Sequence, residues 1–355
     1  MGMSSRSVSG AGVEEQLQPG DPERIGPFRV ISRLGSGGMG RVFLCRSAGG
    51  RPVAVKVIRA DLAVDDEFRA RFRREIEAAR KVSGLYTVLL VDADLDGPVP
   101  WLATSYVPGP SLADAVSAHG PIPPASVLML AAGLAESLAA IHAAGVVHRD
   151  LKPSNVLLAD DGPRVIDFGI SRAAEASVLT STGVIVGSPG FMSPEQAEGG
   201  LAGPPSDVFS LGAVVIFAAT GHSPFGTGST PALLYRIVHG VPDLSAVPAD
   251  IRALAERCLA KDPGMRPTTA DLLAELGVAG FTAGWLPVPV RTEITRQARS
   301  GSRRSLTREI GPCMQWRSTP KVMRWPPPTT AARSTCGTWP ADSGPRHWPI
   351  AAARA

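Results

Sequence analysis

The segment His148-Arg149-Asp150-Leu151-Lys152-Pro153-Ser154-Asn155 places six polar or charged side chains between two aliphatic runs, Val146-Val147 and Val156-Leu157-Leu158. Polar groups at a core boundary are costly unless something binds or satisfies them, so this composition marks a site. Two further features suit an anionic ligand. The run Leu34-Gly35-Ser36-Gly37-Gly38-Met39-Gly40-Arg41-Val42 is a G-x-G-x-x-G-x-V pattern between two predicted strands. Its glycines let the backbone approach phosphate oxygens closely and adopt positive φ, while Leu34 and Val42 can cover a flat apolar ring. A Gly-rich hairpin alone would look the same, and the strand-to-strand context argues against a dinucleotide fold, which needs strand-to-helix. Val53-Ala54-Val55-Lys56 then sets a lysine in a β-branched run, with Ala54 and Lys56 on one face. A lysine directed into a cleft wants an anion: a nucleotide phosphate, or a carboxylate of the following helix, Glu75 first and Glu77 as the alternative.

The elements that must position these residues fall into two groups. From Phe28 onward, short β-type runs separated by Gly-containing turns (28–34, 40–47 and 51–60) predict an antiparallel meander. Residues 66–82 have helical spacing, with Arg71 four before Glu75, and two more strands are predicted over 86–94 and 101–107. After Leu112 the pattern turns helical, over 125–144, 206–220, 231–239, 249–260 and 268–276. A β-rich lobe followed by a larger helical lobe puts a site at their junction. Residues 1–25, rich in Ser, Gly and acidic positions, are expected to be a disordered leader, and 279–355 an unstructured Pro/Arg/Trp-rich tail.

Composition narrows the class. Of 355 residues 44% are hydrophobic and 19% charged, as in globular proteins. The net charge of +4 is uneven: residues 286–355 hold 12 Lys+Arg against 3 Asp+Glu, out of 36 and 32 in the chain. The body is mildly acidic, so nucleic acid is not expected as its partner. No run of 18 apolar residues and no apolar signal core occur, and the expectation is a cytoplasmic protein with no membrane span. The four cysteines lie far apart without a C-x-x-C pair and suggest neither a disulfide framework nor a zinc site.

G-x-G-x-x-G-x-V, V-A-V-K, H-R-D-L-K-P-x-N and Asp167-Phe168-Gly169, in this order, resemble the eukaryotic-type protein kinases, and most of all the Hanks-type serine/threonine kinases of actinobacteria. The resemblance covers residues 26–278 and implies an α+β, bilobal protein kinase fold: a small β-rich N-lobe with one helix (26–107) and a larger α-helical C-lobe (108–278). It implies an ATP-dependent transfer of the γ-phosphoryl group to Ser/Thr hydroxyls of proteins. In that pattern Asp150 accepts or orients the hydroxyl proton, Lys152 offsets charge on the transferring group, and Asn155 and Asp167 hold Mg²⁺, with Mn²⁺ as an alternative. Lys56, held by Glu75, grips the α- and β-phosphates under the loop 35–40. For adenine, Thr104 is the gatekeeper, the Ser105 carbonyl and Val107 N–H meet the purine edge, and Leu34, Val42, Ala54 and Leu157 sandwich the ring. Glu195, in Ser193-Pro194-Glu195, is expected to pair with Arg266, and Asp207 to anchor the large-lobe core.

Regulation follows the same resemblance. Arg149 is expected to bind a phosphate on the loop between Asp167 and Glu195, with autophosphorylation at Thr180 and Thr182 by a kinase–kinase pair. The segment after the first helix, Val82-Ser83-Gly84-Leu85-Tyr86-Thr87-Val88, departs from the family's usual H-P-x-I-V, so the positioning of Glu75 is expected to differ from the family's, with no catalytic group lost. Two other readings stand beside the protein kinase: an inactive kinase-like scaffold and a small-molecule phosphotransferase. For the tail, three readings stand: a basic segment on nucleic acid or membrane phosphates, a linker to a further domain, or out-of-frame coding.

Overall fold

The computed structural model describes residues 15–37, 40–63, 66–168, 189–277 and 284–303. The small lobe is a six-stranded antiparallel sheet of order β1-β2-β3-β4-β6-β5. Its strands are β1 (Arg24–Ile25), β2 (Phe28–Gly37), β3 (Gly40–Arg46), β4 (Pro52–Ile58), β5 (Leu90–Asp94) and β6 (Trp101–Ser105). Period-two alternation assigns the faces. Phe28, Val30, Phe43, Cys45, Val53, Val55 and Trp101 form one buried cluster on the outer face, and Ala54 and Lys56 emerge on the other. A short α1 (Ala60–Ala63) leads to α2 (Asp66–Ala79). Phe68, Phe72 and Ile76 of α2 recur at four-residue spacing and pack against Ile58 and Leu102.

Two expectations for this lobe change. Residues 15–25 do not behave as a disordered leader: Glu15 bridges Arg33, β1 pairs with β2, and Asp21 accepts two hydrogen bonds from Arg33 at 2.6 and 2.7 Å. A buried carboxylate facing a guanidinium fork ties this segment to the sheet. The strand expected from residue 86 begins only at Leu90, because residues 86–88 pair instead with the large lobe, Val165 donating to the Tyr86 carbonyl at 3.0 Å and Val88 to the Val165 carbonyl at 3.3 Å. Gly84 makes this crossing possible, since a Cβ there would lie 2.8 Å from the Ala140 side chain.

The large lobe comprises α3 (Leu112–His119), α4 (Pro124–Ala143), the hairpin β7 (Val156–Ala159) and β8 (Gly162–Val165), α5 (Pro194–Ala197), α6 (Pro204–Thr220), α7 (Thr230–His239), α8 (Ala249–Cys258), α9 (Thr269–Leu276) and α10 (Val288–Arg303). Helix α3 was not expected from the sequence; its Ser111 caps the Asp114 N–H and Gly120, at φ 81°, ends it. Helices α4 and α6 are apolar around most of their circumference and form the centre of the lobe. Helix α4 has the length and composition to cross a bilayer, but Val127, Leu130, Leu134, Leu138 and Ile141 are wholly buried in this core. Cys45 and Cys258 are buried too, and burial pushes both thiols up to about 12.

The expected unstructured tail from 279 fails for residues 284–303. Trp285, Leu286, Val290, Ile294 and Gln297 are buried, and α10 packs against α3 and β7. The Trp285 indole N–H donates to the Ala159 carbonyl at 3.0 Å, and Ser126 donates to the Trp285 carbonyl. Val290, Ile294 and Gln297 lie at spacings of four and three, one stripe of a helix whose other faces are Arg, Thr and Glu.

Candidate active site

Hairpin β7-β8 aligns the two expected cation ligands. Its register pairs Val156 with Val165, so Asn155, just before β7, and Ile166-Asp167, just after β8, come side by side. Ile166 N–H donates to the Asn155 carbonyl at 3.0 Å. Asn155 spends its side-chain N–H groups on Asp150, reaching the backbone carbonyl at 2.7 Å and Oδ2 at 3.2 Å. That leaves Oδ1 as its donor atom toward a cation. Among the described residues no group of three or more His, Cys, Asp or Glu could hold a metal. Two hard protein oxygens completed by phosphate and water oxygens fit Mg²⁺ or a similar ion, which keeps most of its shell outside the protein.

Asp150 Oδ2 also accepts from Lys152 Nζ at 2.7 Å. The carboxylate is thus flanked by a cation and an amide in one short loop. His148 holds that loop from beneath. It is wholly buried; its Nδ1 accepts the Asp150 N–H at 3.3 Å and its Nε2 lies 3.1 Å from the Ile166 carbonyl. This pattern specifies a neutral ring with the proton on Nε2. Burial pushes the His148 pKa down, outweighing the pull of Asp207 and Asp150.

Asp207, at the start of α6, accepts the backbone N–H groups of His148 and Arg149 at 2.8 Å each and contacts His142 Nε2 at 2.7 Å. Gln196 of α5 donates to the Arg149 carbonyl at 2.9 Å. Both backbone polar groups of Arg149 are therefore held, at φ 67°, and Asp167 sits at φ 58°. Non-glycine residues in this region cost about 1–3 kcal/mol unless their surroundings enforce it. No ion pair to the Arg149 guanidinium occurs among the described residues.

Lys56 departs from expectation. Its Nζ lies 2.9 Å from Asp167 Oδ2, so the partner found for the lysine is the aspartate expected at the cation and not the expected Glu75. The physical reason is reach: β4 and the end of β8 face each other across the cleft, and a long flexible ammonium takes the carboxylate within range. Burial would raise the Asp167 pKa, but the charge and hydrogen bond of Lys56, with the charge of Lys152, outweigh it and hold the carboxyl below its ordinary range.

Above this cluster lies a cavity between the lobes. Leu34, Val42, Ala54, Lys56, Thr104, Ser105, Val107, Leu157 and Asp167, all expected there, line it. Gly35, Ser36 and Gly37 belong to β2 and Gly40 to β3; Gly38 and Met39 lie outside the described residues. The two glycines flanking that turn differ. A Cβ on Gly40 would lie 1.9 Å from the Val57 carbonyl, so sheet packing alone requires glycine, whereas at Gly37 it would meet nothing within 4 Å. Thr180 and Thr182 also lie outside the described residues. The cavity further includes residues the sequence reading missed, among them Gly109, Phe168 and Gln297.

Away from the cleft, Arg266 and Glu195 form the expected pair, with two contacts of 2.8 Å. Burial would raise the Glu195 pKa, but hydrogen bonds from Arg266 and Ser206 lower it to about 2.

Comparison with known proteins gives a consistent result. Residues 28–276 match the family described as protein kinase domain. The chain is 55% identical over 273 residues to the probable serine/threonine-protein kinase PkwA of Thermomonospora curvata, covering 77% of this chain and 37% of that protein. It is 51% identical over 312 residues to the serine/threonine-protein kinase AfsK of Streptomyces griseus, covering 84% and 38%. It is 36% identical over 320 residues to the serine/threonine-protein kinase PknL of Mycobacterium bovis, covering 81% and 79%. The chain thus spans little more than a third of the length of the first two relatives.

Proposed function

We propose that this chain, which belongs to the protein kinase family, transfers the γ-phosphoryl group of ATP to serine and threonine hydroxyls of proteins. The family uses ATP with a divalent cation; Mg²⁺ is the ion proposed, and Mn²⁺ can occupy the same oxygen donors. The observation that carries the reading is the Asp150 carboxylate flanked by Lys152 and Asn155, in a loop whose Asn155 carbonyl accepts the N–H of Ile166, the residue before Asp167.

In this reading Asp150 orients the substrate hydroxyl and takes its proton as the oxygen bonds to the γ-phosphorus; the bond from that phosphorus to the β-phosphate oxygen breaks and ADP leaves. Lys152 offsets charge on the transferring group. Lys56, which has N–H groups to spare beside its contact with Asp167, would hold the α- and β-phosphates. Asn155 and Asp167 would hold that cation, which supplies charge neutralisation between phosphates when bound. Phosphoryl transfer asks mainly for positioning and charge stabilisation, which these residues provide. Thr180 and Thr182 are proposed as autophosphorylation sites that Arg149 receives.

The test compares phosphate transfer to a generic protein substrate by wild-type and Asp150→Asn enzyme. Wild type transfers to Ser and Thr, and the variant is slower by about 10²- to 10⁴-fold. No transfer by the wild type would refute the proposal. Phosphopeptide mapping after incubation with Mg·ATP checks Thr180 and Thr182; absence of phosphate there removes the regulatory part alone.

A further inference from the structure

Helix α10 lies outside the stretch matched to the family, yet it reaches the nucleotide cleft. Gln297 is 6% exposed and lines the same cavity as Leu34, Ala54 and Thr104. Its Oε1 accepts the backbone N–H of Gly109 at 2.9 Å, across 188 residues of chain. We propose that Gln297 is a positioning residue for the nucleotide site and that α10, through its buried stripe Val290, Ile294 and Gln297, clamps the hinge, the segment 105–109 that leads from β6 into the large lobe. The inference rests on the nucleotide reading above.

Gly109 closes the segment that runs from Ser105, whose backbone is proposed to meet adenine. It has φ +155°, and a Cβ would lie 2.0 Å from the Leu158 carbonyl, so the chain passes β7 at a distance only glycine permits. At that depth its N–H cannot rely on water and needs an acceptor from the protein. Gln297 is that acceptor. Its orientation is fixed because Nε2 donates to Glu293 Oε1 at 3.1 Å, one turn earlier on the same helix.

The next residue is stitched from the other side, Leu158 N–H donating to the Pro110 carbonyl at 2.9 Å. The far end of the hinge is therefore fixed between β7 and α10. Trp285, Val290 and Ile294 in turn fix α10 to the lobe. Losing the Gln297 acceptor leaves a buried donor unpaired and frees the hinge to move away from the position that shapes the cavity wall. The loss falls on nucleotide binding before it falls on the chemistry at Asp150.

Four full-length proteins test this: wild type, Gln297→Met, which keeps the bulk and removes the acceptor, Ile294→Asp, which undocks the helix, and Thr292→Ala, on its exposed face. ADP affinity is measured by direct titration, alongside KM for ATP, KM for protein substrate, kcat and the melting temperature. Gln297→Met is expected to weaken ADP binding and raise KM for ATP by about 3- to 10-fold, as for loss of one buried hydrogen bond. Its kcat and protein-substrate KM are expected to move far less. Ile294→Asp exceeds it, and Thr292→Ala matches wild type. A folded Gln297→Met that binds ADP within about 2-fold of wild type, or loses kcat at constant ATP KM, overturns the proposal. A wild type that binds no ADP overturns instead the nucleotide reading beneath it.

Discussion

Lys56 and Asp167 meet at 2.9 Å in the cleft, and Arg266 and Glu195 meet at 2.8 Å at the base of the large lobe, yet the two pairs have different surroundings. The Arg266 side chain is fully buried, and all five of its N–H groups have acceptors: both Glu195 oxygens and the carbonyls of Pro205, Ala260 and Lys261. The Phe209 ring covers its face. Lys56, by contrast, has Asp167 as its one hydrogen-bond partner among the described residues, on a carboxylate 35% exposed. Two of its three N–H groups remain for phosphate oxygens. A pair with every valence used is architecture; a pair with valences spare is one that can change partners.

That contrast can be broken by substitution. Arg266→Ala leaves Glu195 without its counter-charge in a partly buried site, and chemical denaturation is expected to show a loss of about 3–5 kcal/mol. A loss below about 1 kcal/mol would make the two pairs alike. Lys56→Met is expected to do the reverse, lowering phosphate transfer by about 10²- to 10³-fold while the melting temperature moves far less than in Arg266→Ala. The Glu195 pKa, lowered from 4.5 to about 2, sharpens the comparison further. A depressed carboxyl contributes stability that is complete above its unfolded value and is lost as pH falls through the folded one. Wild type should therefore lose about 3 kcal/mol from this group between pH 4.5 and 2, and Glu195→Gln should lack that part of the slope in acid-unfolding curves. The smallest effect is expected at Arg59–Asp61, a pair exposed on both sides. Asp61→Asn should leave the melting temperature unchanged within error.

The cleft pair also marks where sequence reading ends. The motifs put Lys56, Asp150, Asn155 and Asp167 near one another because each carries its chemistry in a few consecutive residues. They could not decide whether Lys56 faces Glu75 or Asp167, since that depends on how α2 and β8 stand across the cleft. The strands of the small lobe and the long helices α4 and α6 were legible because their apolar patterns are strong and local. Residues 86–88 read as strand, but their partner lies at Val165, and no local pattern tells pairing within the sheet from pairing across lobes.

Helix α10 was missed for a different reason. Its buried stripe consists of Val290, Ile294 and Gln297, and the last is polar, so hydrophobic periodicity stops after two positions. The Arg- and Ser-rich remainder then resembles an unfolded tail. Trp285 just upstream was the available signal. Asp21 was hidden similarly, in a leader whose composition is polar although one carboxylate is buried against Arg33.

Asp207 has a consequence for the order in which the large lobe is assembled. It holds the N–H groups of His148 and Arg149 from 59 and 58 residues downstream. Until α6 has docked, the loop bearing Asp150 lacks both hydrogen bonds by which Asp207 holds its left-handed turn at Arg149. A growing chain would have Lys56, Asp150, Asn155 and Asp167 all in hand before it had a formed loop at Asp150. If the chain carries the proposed phosphate transfer, its recovery is a late clock during refolding, and its appearance times the assembly of the large lobe.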